Sequence, residues 1–426
     1  MGRNSGGFFY GWVVVAAAVA IEFANAASAI GILTVFVNPM IDDFGWSRTQ
    51  IAGATSVGAL LGAGLAPFSG RLVDRIGARL LLTIGGLVVA LGCVYLSVAQ
   101  TLVGFYVAFT FIRIADQGLI KIGASPTVGK WFLRYRGRAM AMVFVAGSAG
   151  IIVMAPVVQL VIDAWGWRAA WLVLAGVMFV VGVVPSLLFV RRQPEDMGLR
   201  MDGDPPLPEN PEQELSPSQI RGAAMDLEQQ WPVGEVIRTP AFWLVLISLF
   251  VASTGSSGVG LHLVPHLTQQ GLSRGAAVGA ISVMSTSGAL GALALGFLSE
   301  RISPRLMIIA LYLLAAVSMA VLIMADSLTE TYLFAILQGI VGSGVNTLAP
   351  ILWANYYGRA ALGSIYGISR AAQVAGFAVG PLVAGVVYDT TGSYQKAFFY
   401  FMFLSVGSAF LLLAARRPTR PVELPN

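Results

Sequence analysis

Twelve times along this chain, a stretch of about twenty residues passes with almost no charge, and about twenty apolar residues are what one helix needs to cross a bilayer. The stretches begin near Tyr10, Thr49, Leu80, Thr101, Gly137 and Trp167, and again near Pro240, Arg274, Pro304, Glu330, Gly358 and Tyr394. Many carry Gly or Ala four residues apart, as at Gly58 and Gly62 or Gly376 and Gly380. Small residues at that spacing let helix backbones approach closely in lipid. The expected fold class is an all-α membrane protein with twelve transmembrane helices.

Composition agrees. Of 426 residues, 57% are hydrophobic and 11% charged, against roughly 25% charged in a soluble domain. No soluble fold of this length hides so much apolar surface. The formal charge of +5 reflects basic loops rather than a nucleic-acid footprint, since the sequence carries no nucleic-acid motif. The single cysteine, Cys93, lies in an apolar run; alone it forms neither an internal disulfide nor a thiolate metal site. The run from Phe8 is too long for a signal-peptide core and lacks a cleavage site, so it reads as the first span. There is no G-x-x-x-x-G-K-[ST] phosphate loop and no paired catalytic constellation in a soluble domain. An ATP-driven pump and an enzyme are both disfavoured, and no cofactor or metal is expected.

The interval from Arg191 to Arg238 holds QPEDMG and DGDPPLPENPEQE and reads as a solvated, partly disordered linker. It divides the chain into an N-terminal six-helix half (1–190), a linker (191–239) and a C-terminal six-helix half (240–426). Most basic residues fall on the side of the two termini, among them Arg71, Arg75, Arg79, Lys130, Arg134, Arg136, Arg138, Arg301, Arg305 and Arg359. The other side carries Arg48, Arg168, Arg274 and Lys396. The positive-inside rule then places both termini in the cytoplasm of a cell (inner) membrane protein.

The halves repeat at one constant offset. Pro39 meets Pro265, Ser47-Arg48 meets Ser273-Arg274, Gly62 meets Gly288, Asp163 meets Asp389, and GRLVDR (Gly70 to Arg75) meets GFLSER (Gly296 to Arg301). Six spans per half keep both copies in one orientation, which makes the repeats parallel. GRLVDRIGAR resembles the loop signature of the major facilitator superfamily, G-x-L-x-D-R-x-G-R-[KR]: Gly70, Asp74, Arg75, Gly77 and Arg79 match, and Ala78 departs. GFLSERISPR is a weaker second copy, carrying Glu300, Arg301 and Arg305. The resemblance implies that these residues gate or latch the loops rather than contact cargo. WFLRYRGRAMAMVFVAGSAG (Trp131 to Gly150) is similar to the motif opening the fifth helix of the monocarboxylate transporter family, and QPEDMG and WPVGEVIRTPAFW resemble linker segments of its prokaryotic members and of oxalate/formate antiporters. That likeness implies a small organic anion as cargo, often moved with a proton. Those families carry an arginine in the eighth helix; here GAAVGAISVMSTSGALGALALGF has no charge after Arg274.

Five ionisable residues lie inside spans: Glu22, Arg113, Asp116, Lys121 and Arg370. Each costs about 2.5–3.5 kcal/mol to insert, so each should face a wet cavity or another charge. At about 1.5 Å per residue, Glu22, Arg113 and Arg370 fall near the midplane, where such transporters bind cargo. At about 100° per residue, Gln117 lies about 40° from Arg113, Lys121 about 80°, and Asp116 about −60°, a single polar arc. Arg113 and Arg370 can clamp a carboxylate bidentately, with Lys121 as a secondary or second-carboxylate site. Equally, Arg113 can pair with Asp116 at i,i+3 while Lys121 snorkels outward. Glu22 and Asp116 are candidate proton carriers, or permanent counter-ions to the arginines. His262, with His266 one turn on, is a candidate gate or proton-linked group. Gln338, Asn346, Tyr366 and Gln373 are polar residues at cavity positions, with Tyr366 and Gln373 flanking Arg370.

The expected function is a secondary transporter of a small mono- or dicarboxylate, with the proton as coupling ion and the lipid bilayer as surroundings, working as a monomer and binding no nucleic acid. The alternatives are a drug/proton antiporter, a carboxylate exchanger, or a non-transporting membrane sensor. Three intramembrane bases against two acids disfavour a cationic drug.

Overall fold

The structure, a computed structural model, describes residues 8–205 and 230–419, and within them not the side chains of Arg48, Thr49, Ala52, Leu261, Pro265, Arg274, Ala277 and Val278. Arg3, Arg221, Arg420 and the middle of the linker lie outside the described residues. Among the described residues there is no β-strand. Twelve helices account for the spans. They are α1 (Gly11–Phe44), α2 (Arg48–Ile76), α3 (Ala78–Val98), α4 (Leu102–Trp131), α5 (136–165), α6 (167–189), α7 (Pro240–Gln269), α8 (Arg274–Leu298), α9 (Pro304–Met324), α10 (Leu328–Tyr357), α11 (Leu362–Thr391) and α12 (Tyr394–Ala414). The continuous stretch Arg136–Phe189 is two helices because Gly166 turns the backbone at φ 82°.

Local chemistry sets the ends. The Ser47 hydroxyl accepts from the Gln50 amide at 3.1 Å while the Gln50 side chain accepts from the Ser47 amide at 2.8 Å, a reciprocal cap that starts α2. Ser327 and Glu330 cap α10 in the same way.

Two spans are not regular, and both irregularities bear on the site. α1 is helical over Gly11–Ala24, tightens to a 3-10 turn at Asn25–Ser28, extends at Ala29, and resumes over Ile30–Phe44. The break begins three residues after Glu22. α4 widens into a π turn at Asp116–Ile120, where the Lys121 amide donates to the Asp116 carbonyl. A π turn advances each residue by less than the usual rotation. It therefore brings Lys121 back toward the Arg113 face, and the polar arc is narrower than regular spacing predicts.

The chain forms two compact units that do not divide strictly at the linker. The first unites α1–α6 with Ala292–Glu300 of α8 and Leu362–Ala371 of α11. The second comprises α7, the rest of α8 and α11, and α9, α10 and α12. Its core gathers Leu263, Met319, Phe334, Phe398 and Phe401, all nearly fully buried. In the first unit α5 lies directly on α1. A Cβ on Gly150 would sit 2.3 Å from the Phe23 carbonyl oxygen, so only glycine allows that approach.

The linker expectation needs correcting at its two ends. Residues 191–205 are in part packed, with Pro194 and Met201 buried while Glu195, Asp196 and Met197 stand in solvent. The Asp202 carboxylate accepts from the amides of Leu133 at 3.2 Å and Arg134 at 3.0 Å, and Arg134 pairs with Asp204. These bonds satisfy orphan amides just before α5. At the other end, the Gln230 side chain accepts from the amides of Arg359 at 3.0 Å and Ala360 at 2.8 Å, beyond the end of α10.

Gly150→Val should overpack the α1–α5 contact at a cost of order 1–3 kcal/mol and lower the melting temperature in detergent by several degrees. Gly176→Val, where a side chain meets nothing within 4 Å, should leave it unchanged. Equal melting of the two variants would contradict the contact.

Candidate functional site

The buried charges of the first unit come together in one network, and Asp116 is its hub. Its Oδ2 accepts from Arg113 Nη1 at 2.8 Å and from Gln117 Nε2 at 2.6 Å, and its Oδ1 accepts from Asn25 Nδ2 at 2.7 Å. Asp116 is 2% exposed, and a buried carboxylate is stable when its lone pairs are filled in this way. Arg113 Nη1 also donates to the Ser28 carbonyl at 3.1 Å. That carbonyl lies where α1 breaks, so the broken helix supplies an acceptor and the arginine satisfies it. Of the two sequence readings of Arg113, the structure displays the i,i+3 pair.

One turn deeper along α4, the Lys121 ammonium donates to Glu22 Oε2 of α1. Glu22 is 4% exposed, while the Lys121 side chain keeps 29% exposure. The counter-ion of Glu22 is thus Lys121, not an arginine, and Lys121 turns into the bundle rather than snorkelling out. Gly147 of α5 faces both groups and presents no side chain to them.

Arg370, in the part of α11 that belongs to this unit, donates from Nη2 to Gln117 Oε1 at 3.2 Å. Gln117 therefore bridges Arg370 and Asp116 with the two ends of one amide. Tyr366, one turn earlier on α11, is 4% exposed and packs on Ala66 and Ile122, with its hydroxyl bonded to Ser125. The network holds three bases and two acids, drawn from α1, α4 and α11.

The other predicted cavity residues belong to the second unit. Gln338, Asn346 and Gln373 line a cavity of about 40 Å³ with Ser253, Ser256 and Tyr312. Gln338 Oε1 accepts from the Ser318 hydroxyl at 2.9 Å and its Nε2 donates to Ser256 at 3.3 Å, so it is held by neutral groups. Asn346 Nδ2 donates to the Gly342 carbonyl at 2.8 Å. His262, also in the second unit, does not line that cavity. Its Nε2 is 3.2 Å from the Pro381 carbonyl and its ring packs on Tyr394 at 5.0 Å.

The loop-signature residues divide sharply. Asp74 accepts from Lys130 Nζ at 3.0 Å, from the amides of Gly363 at 2.9 Å and Ser364 at 2.7 Å, and from the Ser364 hydroxyl at 2.8 Å. It thereby caps the start of α11, where a carboxylate complements the helix dipole. Gly70 permits this approach, since a Cβ there would meet the Gly363 carbonyl oxygen at 2.1 Å. Glu300 takes a bidentate pair from Arg138, at 2.8 and 2.6 Å. Arg305 Nε donates to the Leu412 carbonyl at 3.1 Å near the end of α12. Gly77 has φ 85° and joins α2 to α3. Arg75, Arg79 and Arg301 stand exposed.

Sequence reasoning missed three contributors. Lys130 was counted among loop charges, yet it is 4% exposed beside Asp74. Arg136 is 1% exposed and its Nε donates to the Phe132 carbonyl at 3.0 Å, closing the α4–α5 corner. Asp202 sits inside a stretch that looks like linker. The spacing of α4 could have flagged Lys130, because the helix continues to Trp131.

The Major Facilitator Superfamily profile matches residues 15–328 and 275–426. Monocarboxylate transporter 12-B of Danio rerio is 24% identical over 421 residues, covering 95% of this chain and 87% of the relative. Monocarboxylate transporter 11 of Mus musculus is 25% identical over 422 residues, covering 96% and 88%. An oxalate:formate antiporter of Oxalobacter formigenes is 26% identical over 250 residues, covering 59% and 53%. Among solved structures, the E. coli fucose:proton symporter superposes with a TM-score of 0.73 at 13% identity, over 96% of this chain and 100% of that one. The human organic anion transporter MFSD10 gives 0.70 at 17% identity, over 94% and 99%.

Asp116→Leu should destabilise the protein by about 3–5 kcal/mol, because it strands Arg113. The double variant Arg113→Leu with Asp116→Leu should recover most of that loss. Thermal unfolding in detergent reads both; a double variant as unstable as the single one would contradict the pairing.

Proposed function

The chain belongs to the major facilitator superfamily, and from that premise we propose that it is a secondary active transporter moving a small organic anion, a mono- or dicarboxylate, by proton-coupled symport. It is a transporter related to the monocarboxylate transporters and an oxalate:formate antiporter, not an enzyme. The observation that carries the anion reading is the charge of the midplane network: Arg113, Lys121 and Arg370 against Glu22 and Asp116. A positive surplus in a low-dielectric interior attracts an anion and repels a cation, which disfavours a drug/proton antiporter. A carboxylate exchanger is the second reading, favoured by the similarity to the antiporter.

In this reading Arg370 takes the carboxylate in its planar fork. Gln117 and Tyr366 set its position, and Arg113 holds Asp116 so that the network stays organised. Gln338, Asn346 and Gln373 supply neutral polar contacts from the C-terminal half, and Lys121 a second cationic contact. Glu22 and Asp116 are the proton-linked acids, and His262 belongs to a gate. Asp74 with Gly70, Arg75, Gly77 and Arg79, and Glu300 with Arg301 and Arg305, form the loop latch that makes and breaks as access alternates. The two repeats span 1–190 and 240–426, joined by the linker 191–239. The protein works as a monomer in the cell (inner) membrane with both termini cytoplasmic, the side on which its basic residues concentrate.

Uptake of radiolabelled carboxylates into proteoliposomes, with and without an inward proton gradient, tests the reading. Arg370→Gln should lower uptake at least 30-fold, about 2 kcal/mol by the arithmetic of affinity, with Arg370→Lys recovering only part. Undiminished uptake by Arg370→Gln would sink the arginine's role.

A further inference from the structure

The two carboxylates of the loop latch, Asp74 and Glu300, take cations from the two sides of one short corner, where α4 ends and α5 begins. Lys130, on the last turn of α4, donates to Asp74 at 3.0 Å. Arg138, on the first turn of α5, donates to Glu300 from its side chain at 2.8 and 2.6 Å and from its amide at 3.2 Å. Between the two helices, residues 132–135 lack helical order to hold them: Phe132 is extended and Tyr135 only leads into α5. Three amides of this corner converge on one carboxylate, Asp202. Its Oδ2 accepts from Leu133 at 3.2 Å and Arg134 at 3.0 Å, and its Oδ1 from Tyr135 at 3.5 Å. Leu133 lies three residues after Lys130 and Tyr135 three before Arg138, so Asp202 fastens the chain midway between the two latch cations.

Asp202 is aimed at the corner. Its side chain is 0% exposed, although polar residues surround it in the sequence. Its φ is 57°, the one positive φ outside glycine among the described residues. That conformation is sterically disfavoured for an L-residue and persists where the surroundings over-determine it. Here the surroundings are the three amides, Arg134 Nε at 3.7 Å, and the Phe9 ring packed against Gly203.

We propose that Asp202 is a positioning residue for both latches: by fixing the α4–α5 corner it sets where Lys130 and Arg138 stand, and so ties the Asp74 latch to the Glu300 latch. This rests on the latch reading above. Asp202 acts through the backbone of 133–135. Without it three amides lose a buried acceptor. The corner rearranges to satisfy them and carries Lys130 and Arg138 away from their acids together. A plain helix cap would protect only the amides it bonds.

Amide hydrogen exchange separates the two roles. Gly363 and Ser364 donate their amides to Asp74 at 2.9 and 2.7 Å, and Arg138 donates its amide to Glu300. All three lie in the first turn of a helix, where an amide has no intrahelical partner, so the latch acid protects them. Purified full-length parent and Asp202→Ala proteins are exchanged in heavy water and read amide by amide by mass spectrometry. Asp202→Ala should speed exchange about tenfold or more at Gly363, Ser364 and Arg138 as well as at Leu133, Arg134 and Tyr135. The Gln50 amide, capped by Ser47 at the start of α2, should exchange as in the parent. Should Asp202→Ala fail to fold, Asp202→Asn, with one acceptor oxygen in place of two, carries the comparison and should speed the same amides by less. Acceleration confined to Leu133, Arg134 and Tyr135, or equal acceleration at Gln50, would overturn the inference. Latch amides that exchange in the parent as slowly as mid-helix amides would instead overturn the latch reading, because a latch that breaks exposes them.

Discussion

Everything at the centre of the first unit depends on satisfying one buried carboxylate, Asp116, inside an apolar bundle. Isolated there it would cost several kcal/mol. Three donors from two helices make it tolerable, and the backbone bends to deliver them. α1 gives up its regular helix at Asn25–Ser28. That break places the Asn25 amide on Asp116 and exposes the Ser28 carbonyl to Arg113. α4 gives up its regular helix at Asp116–Ile120, which swings Lys121 onto the face that Glu22 of α1 occupies. Two departures from ideal helix, each costly alone, offset the larger cost of unpaired charge. Both are compatible with lipid because the freed backbone groups find partners inside the protein.

The two units treat polarity differently. The first concentrates full charges, tied in pairs. The second offers amides and hydroxyls, with Gln338 held between Ser318 and Ser256. A charged site discriminates strongly by the sign of its cargo, and a neutral polar cavity discriminates by hydrogen bonding. At the loop ends the same economy appears: Asp74 satisfies two amides, a hydroxyl and Lys130 at once, in a spot where Gly70 removes the steric barrier.

Much of this was legible in the sequence, because hydrocarbon imposes rules that read out linearly. Span length, the repeat, the Gly70–Arg79 signature and the rarity of buried charge each follow from local composition. Arg113, Asp116 and Gln117 share a face as the helical spacing before the π turn predicts, and Lys121 reaches that side through the π turn itself. The Arg113–Asp116 pair was one of two readings its i,i+3 spacing left open, but the partner of Glu22 was not legible. The Glu22–Lys121 pair joins α1 to α4, and its register depends on the π turn and the α1 break, neither of which has a compositional mark. Lys130 and Asp202 were misjudged for a related reason: a charge near a loop looks solvated until the fold shows a buried partner. The Gly-Asp-Pro stretch around Asp202 looks like linker because its folding depends on the α4–α5 corner it caps.

The central claim is that a small organic anion and a proton cross together. The most direct measurement is accumulation of a radiolabelled monocarboxylate in proteoliposomes under a proton gradient or a potassium diffusion potential, each imposed alone. The account predicts accumulation driven by the proton gradient and indifferent to the potential, because one proton and one monoanion carry no net charge. Accumulation driven by the potential alone would contradict it.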